Sequence, residues 1–345
     1  MTRIFLFVVS VHLATVFMIA QPGDPTWTPL DVLATGTYRG QIGGLYPDGQ
    51  NVPPIAHHRA LEAETRRIVP VDARGRIDSS GKIGFICLGA SNLKQEFPAV
   101  VSQLQRHPSI HPRLVFVNGA QGGMSLEKMI DTVDPRYWEN EVDRAIERAG
   151  LTHQQVRVVW LKTSLLQGRG DTLTFEHAVS TGVERYVQLM HIIAAKLPNV
   201  AIVYGFGRNS TAYVDTTDGN RLSHLEPRAY YEGWIWKRLV ELQIQGDERF
   251  VWTQPQRRMP LLTWGAYMWT APPSANTFGH VWLAEDVVED GLHPSAQGEA
   301  KIGRLISNWF TQDTWARHWV LAQNPVASVD EAAVELTTTP RMFDM

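Results

Sequence analysis

The chain has a single cysteine, Cys87, so no internal disulfide can staple it, and its 345 residues must hold together through their core. It also lacks an excess of either charge. Its 32 Lys and Arg face 35 Asp and Glu, a formal net charge of −3, which leaves no electrostatic footprint for nucleic acid or an anionic membrane surface. Metal-ligand patterns are missing as well. No second cysteine and no H-E-x-x-H occurs, and His57-His58 has no partner at ligand spacing, so metal binding is not expected. Internal repeats and low-complexity tracts are absent, and beyond residue 20 no apolar run is long enough to cross a bilayer.

The exception to the last point is the N-terminus. Thr2-Arg3 is followed by an almost unbroken apolar run from Ile4 to Ala20, and Gln21-Pro22-Gly23-Asp24-Pro25 then breaks any helix. This pattern is that of a secretory signal peptide over residues 1–20, cleaved after Ala20, and implies an exported protein, periplasmic or extracellular. A retained anchor is the alternative, since about 17 apolar residues stand at the short limit for spanning. Residues 21–81 are rich in Pro, Gly and Asp and predict an irregular extension. A domain follows over 82–322, and the small, polar, acidic stretch 323–345 predicts a loosely ordered tail.

Within the domain, short apolar runs alternate with helical periodicity. Ile83–Leu88, Leu114–Val117, Val156–Leu161 and Val200–Tyr204 have strand length and β-branched content. Between them, Trp138, Val142, Ala145 and Ala149 share one helical face, as do Val183, Tyr186, Val187, Met190, Ala194 and Leu197. A further helix is expected over Pro227 to Gln245. Ile302, Leu305, Ile306 and Trp309 mark another, with Ser295 as its N-cap. Such alternation predicts an α/β fold with a mostly parallel sheet covered on both faces, whose ligands sit beyond the carboxyl ends of the strands. Residues 250–285 show less pattern but concentrate Trp252, Trp264, Tyr267, Trp269, Phe278 and Trp282, which suits either core packing or an aromatic wall for a flat, sugar-like ligand.

Chemistry-bearing residues collect where the strands end. Ser91 follows Gly89 and precedes a helix-like stretch, which places its hydroxyl at the sheet edge beside N–H groups able to hold an oxyanion; a plain N-cap is the bland alternative. The adjacent Gly122 and Gly123, after the second strand, suit backbone oxyanion donors or simply a turn. Asp290-Gly291-Leu292-His293-Pro294 lies directly before the last helix, with Asp290 placed to fold back onto Nδ1 of His293. Other motifs fall away. Gly75 to Lys82 has five residues between its glycines where a phosphate loop needs four, and it precedes a strand. Gly205-Phe206-Gly207 lacks a third glycine. Asn209-Ser210-Thr211 is a glycosylation sequon. Cys87, inside an apolar run, reads as a small buried hydrophobe.

Gly89-x-Ser91-Asn92, Asn118…Gly123 and Asp290-x-x-His293-Pro294 resemble blocks I, II and V of the SGNH (GDSL-type) hydrolases, over roughly Lys82 to Phe310. Gly-x-Ser-Asn is similar to the first block of carbohydrate acetylesterases in that superfamily. Leu45-Tyr46-Pro47, Gln95-Glu96-Phe97 and Ala120-Gln121-Gly122-Gly123 resemble a group of uncharacterised exported bacterial SGNH-like proteins. The resemblance implies a three-layer α/β/α, flavodoxin-like fold. It also implies a serine esterase with Ser91 as nucleophile, His293 as base, Asp290 as its orienter and Gly123 as an oxyanion donor, and no cofactor. The chain departs from the pattern twice: Ala90 stands where an Asp precedes the serine, and Val159-Trp160-Leu161-Lys162-Thr163-Ser164 carries no block III Asn. Thr163, Ser164 or the charge of Lys162 is expected to replace it, with Asn92 and Lys162 lining the site; a salt bridge is the plainer role for Lys162. The expected partner is a small-molecule or carbohydrate ester, possible acyl groups including O-acetyl. A lipase or thioesterase on the same fold, or a non-catalytic carbohydrate-binding protein, are the alternatives, and the oligomeric state is left open.

Overall fold

The computed structural model describes residues 27–322; the expected signal peptide and C-terminal tail lie outside the described residues. Five strands form one parallel sheet: β1 (Ile83–Gly89), β2 (Leu114–Asn118), β3 (Val156–Lys162), β4 (Ile202–Gly205) and β5 (Leu261–Trp264). Their spatial order is β2-β1-β3-β4-β5, the flavodoxin-like order. Apolar residues fill Ile83–Leu88 of β1, Gly84 aside, and Val158–Leu161 of β3 because both faces are buried there. Ile86, Leu88, Val159, Leu161 and Val203 face one layer, built from α3 (Phe175–Lys196) and α4 (Arg228–Ile244). Phe85, Cys87, Val158, Trp160, Ile202 and Tyr204 face the other, built from α1 (Ile55–Arg66), α2 (Ser91–Gln105) and α5 (Ala296–Gln312). The result is the three-layer α/β/α fold expected from the alternation.

Two elements were not readable from periodicity. β5 lies in the stretch without pattern, because its four residues Leu261–Trp264 are a short run with no Val or Ile to mark a strand. Helix α1 lies in the extension expected to be irregular; its apolar stripe is thin, with Leu61 its one fully buried aliphatic side chain. Other described residues of that extension pack onto the domain. Leu30, Tyr38, Leu45 and Tyr46 are buried, Tyr46 Oη meets Thr263 Oγ1 at 3.0 Å, and Trp264 Nε1 donates to Leu45 O at 2.6 Å. The helical face containing Trp138 and Val142 starts with a π-helical turn, Tyr137–Asp143, before Arg144–Arg148 continues as α-helix.

Helix α2 carries a proline, Pro98, in its interior, which leaves the carbonyl of Lys94 without its intrahelical donor. Asn118, at the end of β2, supplies one: its Nδ2 donates to Lys94 O at 3.0 Å. The same side chain accepts from Ala120 N–H and from the Cys87 thiol. Cys87 is fully buried, and burial pushes its thiol pKa well up, in keeping with an inert core residue.

Candidate active site

The site forms at the carboxyl edge of the sheet. β1 ends in Gly89 (φ 157°), where a Cβ would lie 2.0 Å from the carbonyl oxygen of Lys162 on β3, so only glycine lets the chain turn this close to its neighbour. Ser91 is then the first residue of α2. Ala90 takes the N-cap position, and the Ser91 side chain makes no capping bond. Its hydroxyl instead lies 2.8 Å from Nε2 of His293.

His293 is held by its own loop. Asp290 Oδ1 accepts from the backbone N–H groups of Leu292 and His293 at 2.8 and 2.9 Å, and Oδ2 takes Nδ1 of His293 at 2.6 Å. The tight fold-back passes through Gly291 (φ 66°), where a Cβ would sit 1.8 Å from Tyr213 O. Burial works against ionising Asp290, but the hydrogen bonds from the His293 side chain and from two backbone N–H groups outweigh it and hold the carboxyl below its usual range. An ionised Asp290 only accepts, so Nδ1 of His293 carries the proton and Nε2 is left with a lone pair facing Ser91.

A cleft of about 390 Å³ opens over this pair. Ser91, Asn92, Gly123, Ser164 and His293 all line it. The Ser91 N–H belongs to the first turn of a helix, where no intrahelical carbonyl can reach it, and the Gly123 N–H has no acceptor among the described residues. Asn92 is buried and donates from Nδ2 to Leu292 O at 2.8 Å, tying α2 to the His293 loop. Ser164 Oγ is buried against the cleft with no hydrogen-bond partner.

Two of the residues expected around the oxyanion lie elsewhere. Lys162, 4% exposed, points under the site, where its Nζ bonds both carboxylate oxygens of Glu96 at 2.8 and 2.7 Å; Asn209 Nδ2 completes the cluster at 3.1 Å from Glu96 Oε1. Burial lowers the Lys162 pKa while the Glu96 charge opposes the shift. Thr163 donates from Oγ1 to Met124 O and does not reach the cleft. The strand ends at Lys162, so Thr163 and Ser164 lie in the loop that follows and their side chains part there. Asn209 is buried inside this cluster, so the sequon Asn209-Ser210-Thr211 is not presented for glycosylation in the folded chain.

Several cleft residues escaped the sequence. Arg221 donates to Asp290 Oδ2 at 2.9 Å and to Asp218 Oδ2 at 2.8 Å, adding a cation behind the His–Asp pair. His224 and Arg208 line the same cleft. Arg208 falls in the segment just after β4, where ligands of such sheets collect, but Arg221 and His224 lie in the 3₁₀ segment Gly219–His224, which carries no motif. Among the described residues no Phe, Tyr or Trp lines the cleft. Trp264, Tyr267, Trp269 and Trp282 are buried in the two core layers instead of forming an aromatic wall. A larger hollow of about 740 Å³, lined by Ile42, Phe175, Trp234 and Arg238, contains no nucleophile–base pair among the described residues. Among the described residues no group of acidic, histidine or cysteine side chains has metal-binding geometry, and no helix is long and apolar enough to cross a membrane.

No protein-family model and no curated protein matches the chain. Among solved structures it is similar to a proposed SGNH hydrolase from Slackia heliotrinireducens, at 14% identity and TM-score 0.37, covering 66% of this chain and 99% of that one. It is also similar to an acetyl esterase S10A mutant crystallised with acetate, at 11% identity and TM-score 0.36, covering 66% and 95%. A third, from Bacillus subtilis, has 11% identity and TM-score 0.34, covering 68% and 58%. These likenesses are distant, and the fold assignment rests on the chain's own sheet order and layers.

Proposed function

We propose that the protein is an SGNH-type serine hydrolase that cleaves a carboxylic ester by acyl transfer. The observation that carries the reading is the relay Ser91 Oγ to His293 Nε2 at 2.8 Å and His293 Nδ1 to Asp290 at 2.6 Å. Three groups in hydrogen-bond contact, with the imidazole tautomer set by the carboxylate, meet the geometric requirement for an activated nucleophile. In the proposed reaction Ser91 Oγ attacks the carbonyl carbon while His293 Nε2 takes its proton. The oxyanion that develops is met by the Ser91 and Gly123 N–H groups, with Ser164 Oγ as the third donor in place of asparagine. Collapse expels the alcohol, which takes the proton from His293. Water, activated by the same imidazole, then releases the acid and restores Ser91. Asp290 stays ionised throughout and stabilises the imidazolium.

A small acyl group on a carbohydrate is the substrate class we favour. It is supported by the Gly-x-Ser-Asn resemblance and by the exported character expected from residues 1–20. The test is hydrolysis of p-nitrophenyl acetate and acetylated xylan by the wild type and by Ser91→Ala, with fluorophosphonate labelling of both. The variant is expected to lose at least about 10³-fold in kcat and all labelling. Equal turnover by the two proteins would overturn the esterase reading in favour of a binding protein, and a preference for long acyl chains would point to a lipase.

A further inference from the structure

Among the described residues, the cations around the cleft are all matched but one. Arg221 is paired with Asp218 and Asp290, Lys162 with Glu96, and Arg228 donates to the carbonyls of Leu165 and Gln167. Arg208 is 5% exposed and lines the cleft beside Ser91 and His293, yet it makes no hydrogen bond or ion pair with any described residue. Glu232 is the acidic group that feels its charge, but it lies beyond ion-pair distance. Its two oxygens are taken by the Leu165 N–H at 3.0 Å and the Tyr186 hydroxyl at 3.1 Å. The inner hollow that Arg208 and Glu232 share is about 20 Å³, room for roughly one water and none for an anion. An acceptor for this guanidinium can therefore arrive only through the cleft. His224, across the same cleft, is pushed down to about 3 by burial and then by the charge of Arg208, so it is neutral and does not compete for an anion. A planar fork of donors held without protein acceptors is suited to an oxyacid group, which it can bind in bidentate fashion.

We propose that Arg208 is a specificity-determining residue that binds a carboxylate or sulfate carried by the substrate, so that the preferred ester is on an acidic sugar. The inference rests on the esterase reading for its substrate, but its central test does not require turnover. Full-length Ser91→Ala is titrated calorimetrically with D-glucuronate, D-glucose 6-sulfate and D-glucose. At least one acidic sugar is expected to bind about tenfold to a hundredfold more tightly than glucose, and which one does so separates carboxylate from sulfate. In Ser91→Ala/Arg208→Gln that preference is expected to vanish; in Ser91→Ala/Arg208→Lys, which keeps the charge and loses the fork, it should be reduced. Circular dichroism establishes that each variant is folded. Equal affinities for all three sugars, no binding of any, or a preference that survives Arg208→Gln would overturn the proposal. In the otherwise wild-type chain, Arg208→Gln should lower kcat/KM for 4-acetoxybenzoate far more than for phenyl acetate. Equal loss on both would assign Arg208 to the oxyanion and overturn its role in specificity. Failure to hydrolyse any ester, by contrast, would count against the esterase reading alone and leave the sugar titration to decide on Arg208.

Discussion

At the scale of single residues, the site depends on who orients whom. Ser91 sits on a helix and His293 on a loop, and the side chain that joins those two elements is Asn92, through its bond to Leu292 O. Removing it leaves a buried carbonyl unpaired and frees the loop to shift against the nucleophile. The loss of such a bond costs about 1–3 kcal/mol. If that cost falls on the geometry of the Ser–His pair, Asn92→Ala should lower kcat about tenfold to a hundredfold while KM holds within about twofold. Steady-state kinetics on p-nitrophenyl acetate checks this. A rise in KM with kcat unchanged would make Asn92 a substrate contact instead of a positioning residue.

At the scale of elements, Lys162 shows how a strand end and the loop after it serve the core and the cleft within three residues. It leaves β3 with its ammonium under α2, locked to Glu96 of that helix, while Ser164 reaches the cleft two residues later. The pair is buried on both sides, so breaking it strands a charge. Lys162→Met is expected to destabilise the fold by about 3–5 kcal/mol, whereas Lys162→Met/Glu96→Leu should recover most of the loss, because a buried ion pair and an apolar pair of similar volume are often near equal. Urea unfolding of the wild type, the single and the double variant provides the comparison. If Lys162→Met abolished turnover at full stability, the lysine would belong to the chemistry after all.

For the whole molecule, stability should carry the signature of a buried acid. Glu232 is pushed up to about 7, chiefly by burial, which the charge of Arg208 and the hydrogen bonds from Leu165, with the neighbouring Arg228, only partly offset. A carboxyl whose folded-state pKa lies above its ordinary 4.5 binds its proton more tightly in the native state. Its stabilising contribution is complete below pH 4.5, declines as pH rises towards about 7, and is gone above that. The window corresponds to about 3 kcal/mol, at roughly 1.4 kcal/mol for each pH unit. Unfolding free energies of wild type and Glu232→Gln measured from pH 4 to 8 should therefore converge or cross in favour of the variant as pH rises. Parallel curves would show that Glu232 ionises as an ordinary surface acid does.

The strands β1 to β4, the helices over 175–196 and 228–244 and the cap at Ser295 could be read from the chain, because short β-branched apolar runs and helical periodicity are local signals. The residues at each strand end followed from the parallel topology, which is how Ser91 and Gly123 became candidates; His293 came from the Asp290-x-x-His293 motif directly before the last helix. The chain is silent where a strand is short and has no Val or Ile, as in β5, or where the apolar stripe is thin, as in α1. It also cannot say which polar groups meet across long separations. Whether Lys162 would turn to the cleft or to Glu96, and whether Arg208 would find an acceptor, depended on loops and helices brought together only by the sheet. That decision belongs to tertiary structure, because the pairing energy of a charged group is set by its three-dimensional neighbours and its burial, and neither is a local property of the chain.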